Sequence, residues 1–207
     1  MEFENQDLLV EGAKGFGIQL NEKQVEAFDL YLRELLKWNQ KINLTAIRTE
    51  KGIVLKHFID SLSAIPYLFG TTSLLDIGSG AGFPGIPLKI VQPSLEVTLI
   101  DSVRKKVDFQ KHIVRMLGLK GTETLHGRIQ DKAIVQSMTG QFDAVISRAF
   151  SDLRTFLRLS FPFLRKGGIL LAMKGEFDEE ETSFHTKGEE TRYRLQRTTS
   201  FLLPKSS

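Results

Sequence analysis

The chain has 207 residues, 41% of them hydrophobic, with 28 Lys and Arg against 25 Asp and Glu for a formal net charge of +3, and it contains no cysteine. That excludes disulfides, thiolate metal sites and any cysteine nucleophile, and no apolar run approaches the roughly twenty residues a membrane-spanning helix needs. The mildly basic balance permits a polyanionic partner without requiring one. An acidic start, Met1-Glu2-Phe3-Glu4-Asn5, lacks the basic and apolar regions of a signal peptide, so a cytoplasmic protein is expected.

Length suits one main domain with an appendage: an N-terminal helical cap over residues 1–70 and a sheet domain over 71–207. Residues 1–18 have no clear period, and Gly12, Gly15 and Gly17 suggest a loosely ordered approach. Asn21 followed by Gln24 resembles a capping box, and Val25, Phe28, Leu32, Leu35 and Leu36 repeat at helical spacing, which predicts an amphipathic helix over 21–40. A second helical stretch over about 50–69 carries Ile53, Leu55, Phe58, Leu62 and Ile65. Strands and helices then alternate, as in a parallel sheet. The strands read as 73–77, 96–101, 122–126, 142–147 and 168–174, and the helices as 84–92, 103–117, 129–137 and 152–164. Gly118 closes one helix, and Gly167-Gly168 turns into the fifth strand. An acidic stretch over 176–190 reads as a solvated helix or loop, and Thr191–Leu203 as a last strand.

The most informative segment is Ser73-Leu-Leu-Asp-Ile-Gly-Ser-Gly-Ala-Gly-Phe-Pro-Gly85, a buried strand running through a glycine turn into a helix. Such a turn presents backbone amides to a nucleotide-like ligand. A dinucleotide fingerprint would place its third glycine at position 83, which is Phe83. The run is instead Gly78-x-Gly80-x-Gly82, with Asp76 closing the strand. Asp101 ends the next strand, where a carboxylate can accept both ribose hydroxyls. This pattern resembles the S-adenosylmethionine site of class I methyltransferases, and makes Gly78, Gly80, Gly82, Phe83 and Asp101 candidate cofactor residues, with a core aromatic as the other reading of Phe83. A tight turn in some other α/β protein is the plain alternative.

The set Trp38-Asn39, Asn43-Leu44-Thr45, His57-x-x-Asp60-Ser61, Asp76–Pro87, Leu99–Ser102, Ser147-Arg148-Ala149-Phe150 and Met173-Lys174-Gly175 is similar to one family. It resembles the bacterial 16S ribosomal RNA guanine-N7 methyltransferases, once called glucose-inhibited division protein B. The resemblance runs from about residue 20 to 175. It implies a doubly wound, mostly parallel α/β sheet of Rossmann-like type under a helical cap, S-adenosylmethionine as cofactor, and methyl transfer to a guanine N7 in 16S ribosomal RNA or the small ribosomal subunit. Residues 71–207 would then be the methyltransferase domain, and the protein a monomer that needs no metal. Members usually end in a further antiparallel strand. This sequence stops at Pro204-Lys205-Ser206-Ser207, leaving that strand absent or beyond its end.

The residues fit that chemistry. Guanine N7 offers an in-plane lone pair and no proton, so the task is orientation rather than base catalysis. By resemblance Ile129 and Gln130 flank the adenine of the cofactor, although an ordinary helix start explains them equally well. Arg148, at the C-terminal end of strand four, is the candidate catalytic residue. Its guanidinium could hold the cofactor carboxylate, a phosphate or guanine O6; a surface ion pair is the alternative. Asn43, His57 and Asp60 are expected to form a structural or substrate-positioning cluster; Lys174 could meet RNA phosphate, with a solvated lysine as the plain alternative. The basic run Arg104, Lys105, Lys106, Lys111, Arg115, Lys120 and Arg128 suits RNA but equally a solvated helix face. Two other readings stay open: a class I methyltransferase with a small-molecule or protein substrate, and a catalytically inactive RNA- or nucleotide-binding relative.

Overall fold

The structure, a computed structural model, describes residues 1–148, 152–174 and Thr199. Five strands, β1 Ser73–Ile77, β2 Glu96–Asp101, β3 Thr122–His126, β4 Phe142–Arg148 and β5 Leu164–Met173, form one sheet in the order β3-β2-β1-β4-β5. Every neighbouring pair is parallel. The chain order reverses between β1 and β4, and ligands of open α/β sheets bind at the carboxyl ends beside such a reversal. Register sets Asp76 opposite Leu99 on one side and Ile146 on the other, so β1, β2 and β4 end close together.

Alternation along the strands builds two cores. Leu74, Leu99, Ala144 and Ile146 face one apolar cluster, and Leu75, Ile77, Ile100 and Val145 face the other. Helices α5 Gly85–Val91 and α6 Arg104–Met116 cover the first face; α7 Lys132–Met138 and α8 Leu153–Ser160 cover the second. The first cluster continues into the N-terminal helices through Leu9, Phe28, Leu32, Leu35, Phe58 and Leu62, all fully buried.

Those helices are α1 Phe3–Lys14, α2 Glu22–Asn39 and α3 Glu50–Ile53. The last runs through a wide π-type turn, Val54–Ile59, into α4 Asp60–Leu62. The capping box at the start of α2 is formed as expected: the Gln24 amide donates to the Asn21 side chain and the Asn21 amide to that of Gln24, each at 3.0 Å. The N-terminal stretch differs from its reading, because residues 3–14 are helical and not loose. Leu9 and Ala13 bury one narrow edge, and Gly12 lets α1 lie directly on Ile59.

β5 also starts earlier than expected. Leu164 already pairs with Phe142, and the register then slips so that Ala144 meets Ile169. Gly167-Gly168 therefore sits inside an irregular strand entry, with Gly167 at φ +82° and Gly168 pressed against the Asp143 carbonyl. Ala149, Phe150, the acidic stretch 176–190 and the strand expected at 191–203 (Thr199 apart) lie outside the described residues. Among the described residues, no helix is long and apolar enough to cross a membrane.

Candidate active site

The turn after β1 has positive φ at Gly78, Gly80 and Gly82, +68°, +60° and +102°. A methyl group built on Gly78 or Gly80 would meet nothing closer than 4.0 Å, so this part of the turn is open. Gly82 is a glycine for a second reason: a side chain there would run into Ile86 and the Tyr31 hydroxyl.

The turn is gripped from behind. Tyr31 of α2 donates to the Ala81 carbonyl at 2.6 Å. Gln110 of α6 donates to the Gly80 carbonyl at 2.7 Å and to the Ser79 hydroxyl at 2.9 Å. The Gly80 amide donates to Asp101 Oδ2 and the Gly85 amide to Asp76 Oδ2, at 2.8 and 2.7 Å. Sequence reasoning missed Tyr31 and Gln110. Each is a polar residue on the apolar stripe of its helix, beside Leu32 and Leu35 in one case and Val107 and Ile113 in the other. That is the signal that could have found them.

The two strand-end acids differ. Asp101 Oδ1 also accepts the Val103 amide at 2.8 Å. A carboxylate has about four lone-pair sites, so capacity remains for ribose hydroxyls. Asp76 is fully buried, and its Oδ1 has no partner among the described residues. Burial pushes its carboxyl up to about 7, against the Gly85 amide and Arg148; the Asp101 charge adds to the rise.

Across the reversal, Arg148 at the end of β4 reaches the cap. Its Nη1 donates to the Lys56 carbonyl at 2.9 Å and to Asp60 Oδ2 at 3.3 Å, and its Nη2 lies 2.9 Å from His57 Nδ1. Its guanidinium carbon lies 5.2 Å from the centroid of the Phe83 ring. The π-type turn presents Lys56 and His57 together, a distortion common at functional sites. Phe83 is 3% exposed and stacks on His57 at 4.5 Å and on Tyr31 at 5.3 Å. His57 is held neutral, down to about 3, by burial and then by the charge of Arg148. Burial pushes the Asp60 carboxyl up, and Arg148 pulls it back.

The structure therefore gathers Phe83, His57, Asp60 and Arg148. His57 Nε2 lies 2.7 Å from Thr45 Oγ1, which ties the cluster to the loop carrying Asn43. Asn43, Leu44, Thr45, Ala46 and Arg48 line an open cavity of about 420 Å³, within the roughly 300–1,000 Å³ of small-molecule sites. Asn39 shapes the loop by accepting the Leu44 and Thr45 amides and donating to the Thr45 carbonyl. Ile129 and Gln130 belong to the turn after β3, Ile129 buried and Gln130 exposed, and α7 begins beyond them at Lys132. Lys174 is half-buried, one residue past β5. Of the basic run, Arg104, Lys105, Lys111, Arg115, Lys120 and Arg128 are exposed, with Arg104 paired to Asp108.

These features fit S-adenosylmethionine: open backbone at Gly78 and Gly80, a strand-end carboxylate with acceptor capacity to spare beside it, and a guanidinium across the reversal. Fold and turn together define a class I type α/β methyltransferase. A protein of Methanococcus maripaludis assigned as an S-adenosyl-L-methionine-dependent methyltransferase has this fold, with a TM-score of 0.50 and 19% identity over 72% of this chain and 65% of that one, just under two thirds of its length.

Sequence comparison narrows the class. The profile described as rRNA small subunit methyltransferase G matches residues 24–205. "Ribosomal RNA small subunit methyltransferase G" of Geobacter metallireducens is 49% identical over 181 residues, 87% of this chain and 81% of that protein. The protein of the same name from Lactococcus lactis is 45% identical over 169 residues, 80% of this chain and 71% of that one. The chain belongs to the rRNA small subunit methyltransferase G family.

Proposed function

We propose that this protein transfers the methyl group of S-adenosylmethionine to N7 of a guanine in 16S ribosomal RNA of the bacterial small subunit. It does so in the cytoplasm, as a monomer, with residues 71–207 as the methyltransferase domain and 1–70 as its cap. The observation that carries the reading is the pairing, at one sheet reversal, of an open glycine turn beside Asp101 with an arginine joined through His57 and Thr45 to the loop that lines a cavity in the cap. One side suits a nucleoside cofactor and the other a base.

When bound, the sulfonium supplies an electrophilic methyl group. The chain's own contribution is placement. Gly78, Gly80 and Gly82 bring backbone close to the methionine end, Asp101 accepts the ribose hydroxyls, and Ile129 and Gln130 border the adenine. Among the described residues, Arg148 retains N–H groups on Nε and Nη2 beyond those given to Lys56, Asp60 and His57. These can hold the base or the cofactor carboxylate. No group is required to take a proton from N7, which agrees with a neutral His57 locked against Phe83. Asn43, His57 and Asp60 shape the base side, and Lys174 and the exposed cations of α6 meet phosphates, an interaction that weakens with salt.

The test is methyl transfer from labelled S-adenosylmethionine to small subunits, and to deproteinised small-subunit RNA, from a strain lacking the enzyme. Labelled 7-methylguanosine at one site supports the reading. Label in another nucleoside, or cofactor binding with no RNA product, overturns it. Light scattering at the monomer mass checks the oligomeric state.

A further inference from the structure

Thr45 has no part in the roles above, yet the hydrogen bonds around it determine its chemistry. An arginine is always protonated and only donates. Because Arg148 Nη2 lies 2.9 Å from His57 Nδ1, that nitrogen must be the acceptor. A neutral imidazole carries one N–H, so the proton is on Nε2, which faces Thr45 Oγ1 at 2.7 Å. Burial, and after it the charge of Arg148, disfavours a second proton on the ring, so the direction of the relay holds at neutral pH. Thr45 Oγ1 therefore accepts from His57, and it accepts again from the Ile47 amide at 3.2 Å. Both lone pairs are used. What remains is the hydroxyl hydrogen, which no acceptor takes among the described residues, on a residue that lines the open cavity with Asn43, Leu44, Ala46 and Arg48.

A hydroxyl that can only donate discriminates between purines. Guanine presents acceptors at N7 and O6; adenine presents the same N7 but an amino donor at position 6. N7 must stay free for the incoming methyl group, which leaves the neighbouring position to carry identity. We propose that Thr45 selects guanine over adenine by donating its hydroxyl hydrogen to O6 of the target base, as the last member of an Arg148–His57–Thr45 relay. This rests on the methyltransferase reading above. His57 and Arg148 act here as positioning residues, and Thr45 as the group that touches the base.

The experiment compares wild type, Thr45→Val, Thr45→Ala and Thr45→Ser on two RNA fragments. One carries the target guanine; the other carries 2-aminopurine there, which keeps N7 and lacks O6. The readout is kcat/KM, or the inhibition constant against the guanine RNA where turnover is slow. Losing a donor to a buried acceptor should cost Thr45→Val and Thr45→Ala about tenfold to a hundredfold on guanine RNA, with Thr45→Ser within about threefold of wild type. On 2-aminopurine RNA the four proteins should be equal. An equal loss on both RNAs would mean that Thr45 only supports its loop, and overturns the inference. Wild type with no transfer to guanine RNA instead removes the methyltransferase reading, and this inference with it.

Discussion

Replacing Asp76 with Asn should reveal a proton that the folded protein takes up at its centre. One carboxylate oxygen accepts the Gly85 amide at 2.7 Å and the other has no partner among the described residues, with the side chain fully buried. Burial raises its pKa from 3.8 to about 7. Between about pH 4 and 7 the folded chain keeps a proton that the unfolded chain has lost, so stability falls as pH rises. A gap of about three pH units, at about 1.4 kcal/mol each, makes the full effect about 4 kcal/mol. His57 works in the opposite sense. Its folded pKa is lowered from 6.5 to about 3, so it contributes stability that is gained over that window as pH rises. The two trends oppose each other in the wild-type profile, and only a difference separates them. Urea unfolding of cofactor-free wild type and Asp76→Asn across pH 4.5 to 8 gives that difference. The variant should match wild type at the acid end, because Asn mimics a neutral Asp, and exceed it by several kcal/mol at pH 8. A gap that does not change with pH would refute the argument.

Three further outcomes are expected. Asp101→Ala should weaken S-adenosylmethionine binding by about 1–3 kcal/mol in calorimetry, since it removes the proposed ribose acceptor and frees the Gly80 amide; unchanged affinity would rule out the ribose role. Arg148→Ala should cut methyl transfer to small-subunit RNA by at least about 10²-fold, the scale of a lost positioning group, while shifting the melting temperature little. If the protein unfolds and activity per folded molecule is intact, Arg148 is only a strut. Gly85→Ala should lower stability by about 1–3 kcal/mol by thermal denaturation, because its methyl group would press on Leu99 and come within 2.9 Å of Asp76 Oδ2; an unchanged melting temperature would contradict that packing.

Much of the fold was legible because its signals are local. β1 and β2 are short apolar runs that end at a glycine or a strand-end acid, β3 lies between Gly121 and Gly127, and α2 is announced by Asn21 and Gln24. The failures have a common cause. α1 buries only Asn5, Leu9 and Ala13, too thin a stripe to read against three nearby glycines. β5 begins before Gly167-Gly168 because β4 offers Leu164 a partner, which no local pattern records. The site divides in the same way. Gly78, Gly80, Gly82 and Asp101 carry a spacing that can be read directly. His57, Asp60 and Arg148 could be suspected singly, but their meeting joins residues about ninety positions apart. The direction of the Thr45 hydrogen bond depends on that meeting, and so lies one step further from the sequence.

The grip on the glycine turn has a kinetic consequence. Tyr31, Gln110 and Asp101 hold the Ala81 carbonyl, the Gly80 carbonyl and the Gly80 amide through bonds internal to the chain. The ordering cost of this segment is thus borne when the chain folds rather than when the cofactor binds. This turn then needs no further ordering on association, and differences in affinity among its variants should emerge as differences in residence time. Because two of the three clamps stand on α2 and α6, a change deep under the cap can shorten that residence without touching the ligand.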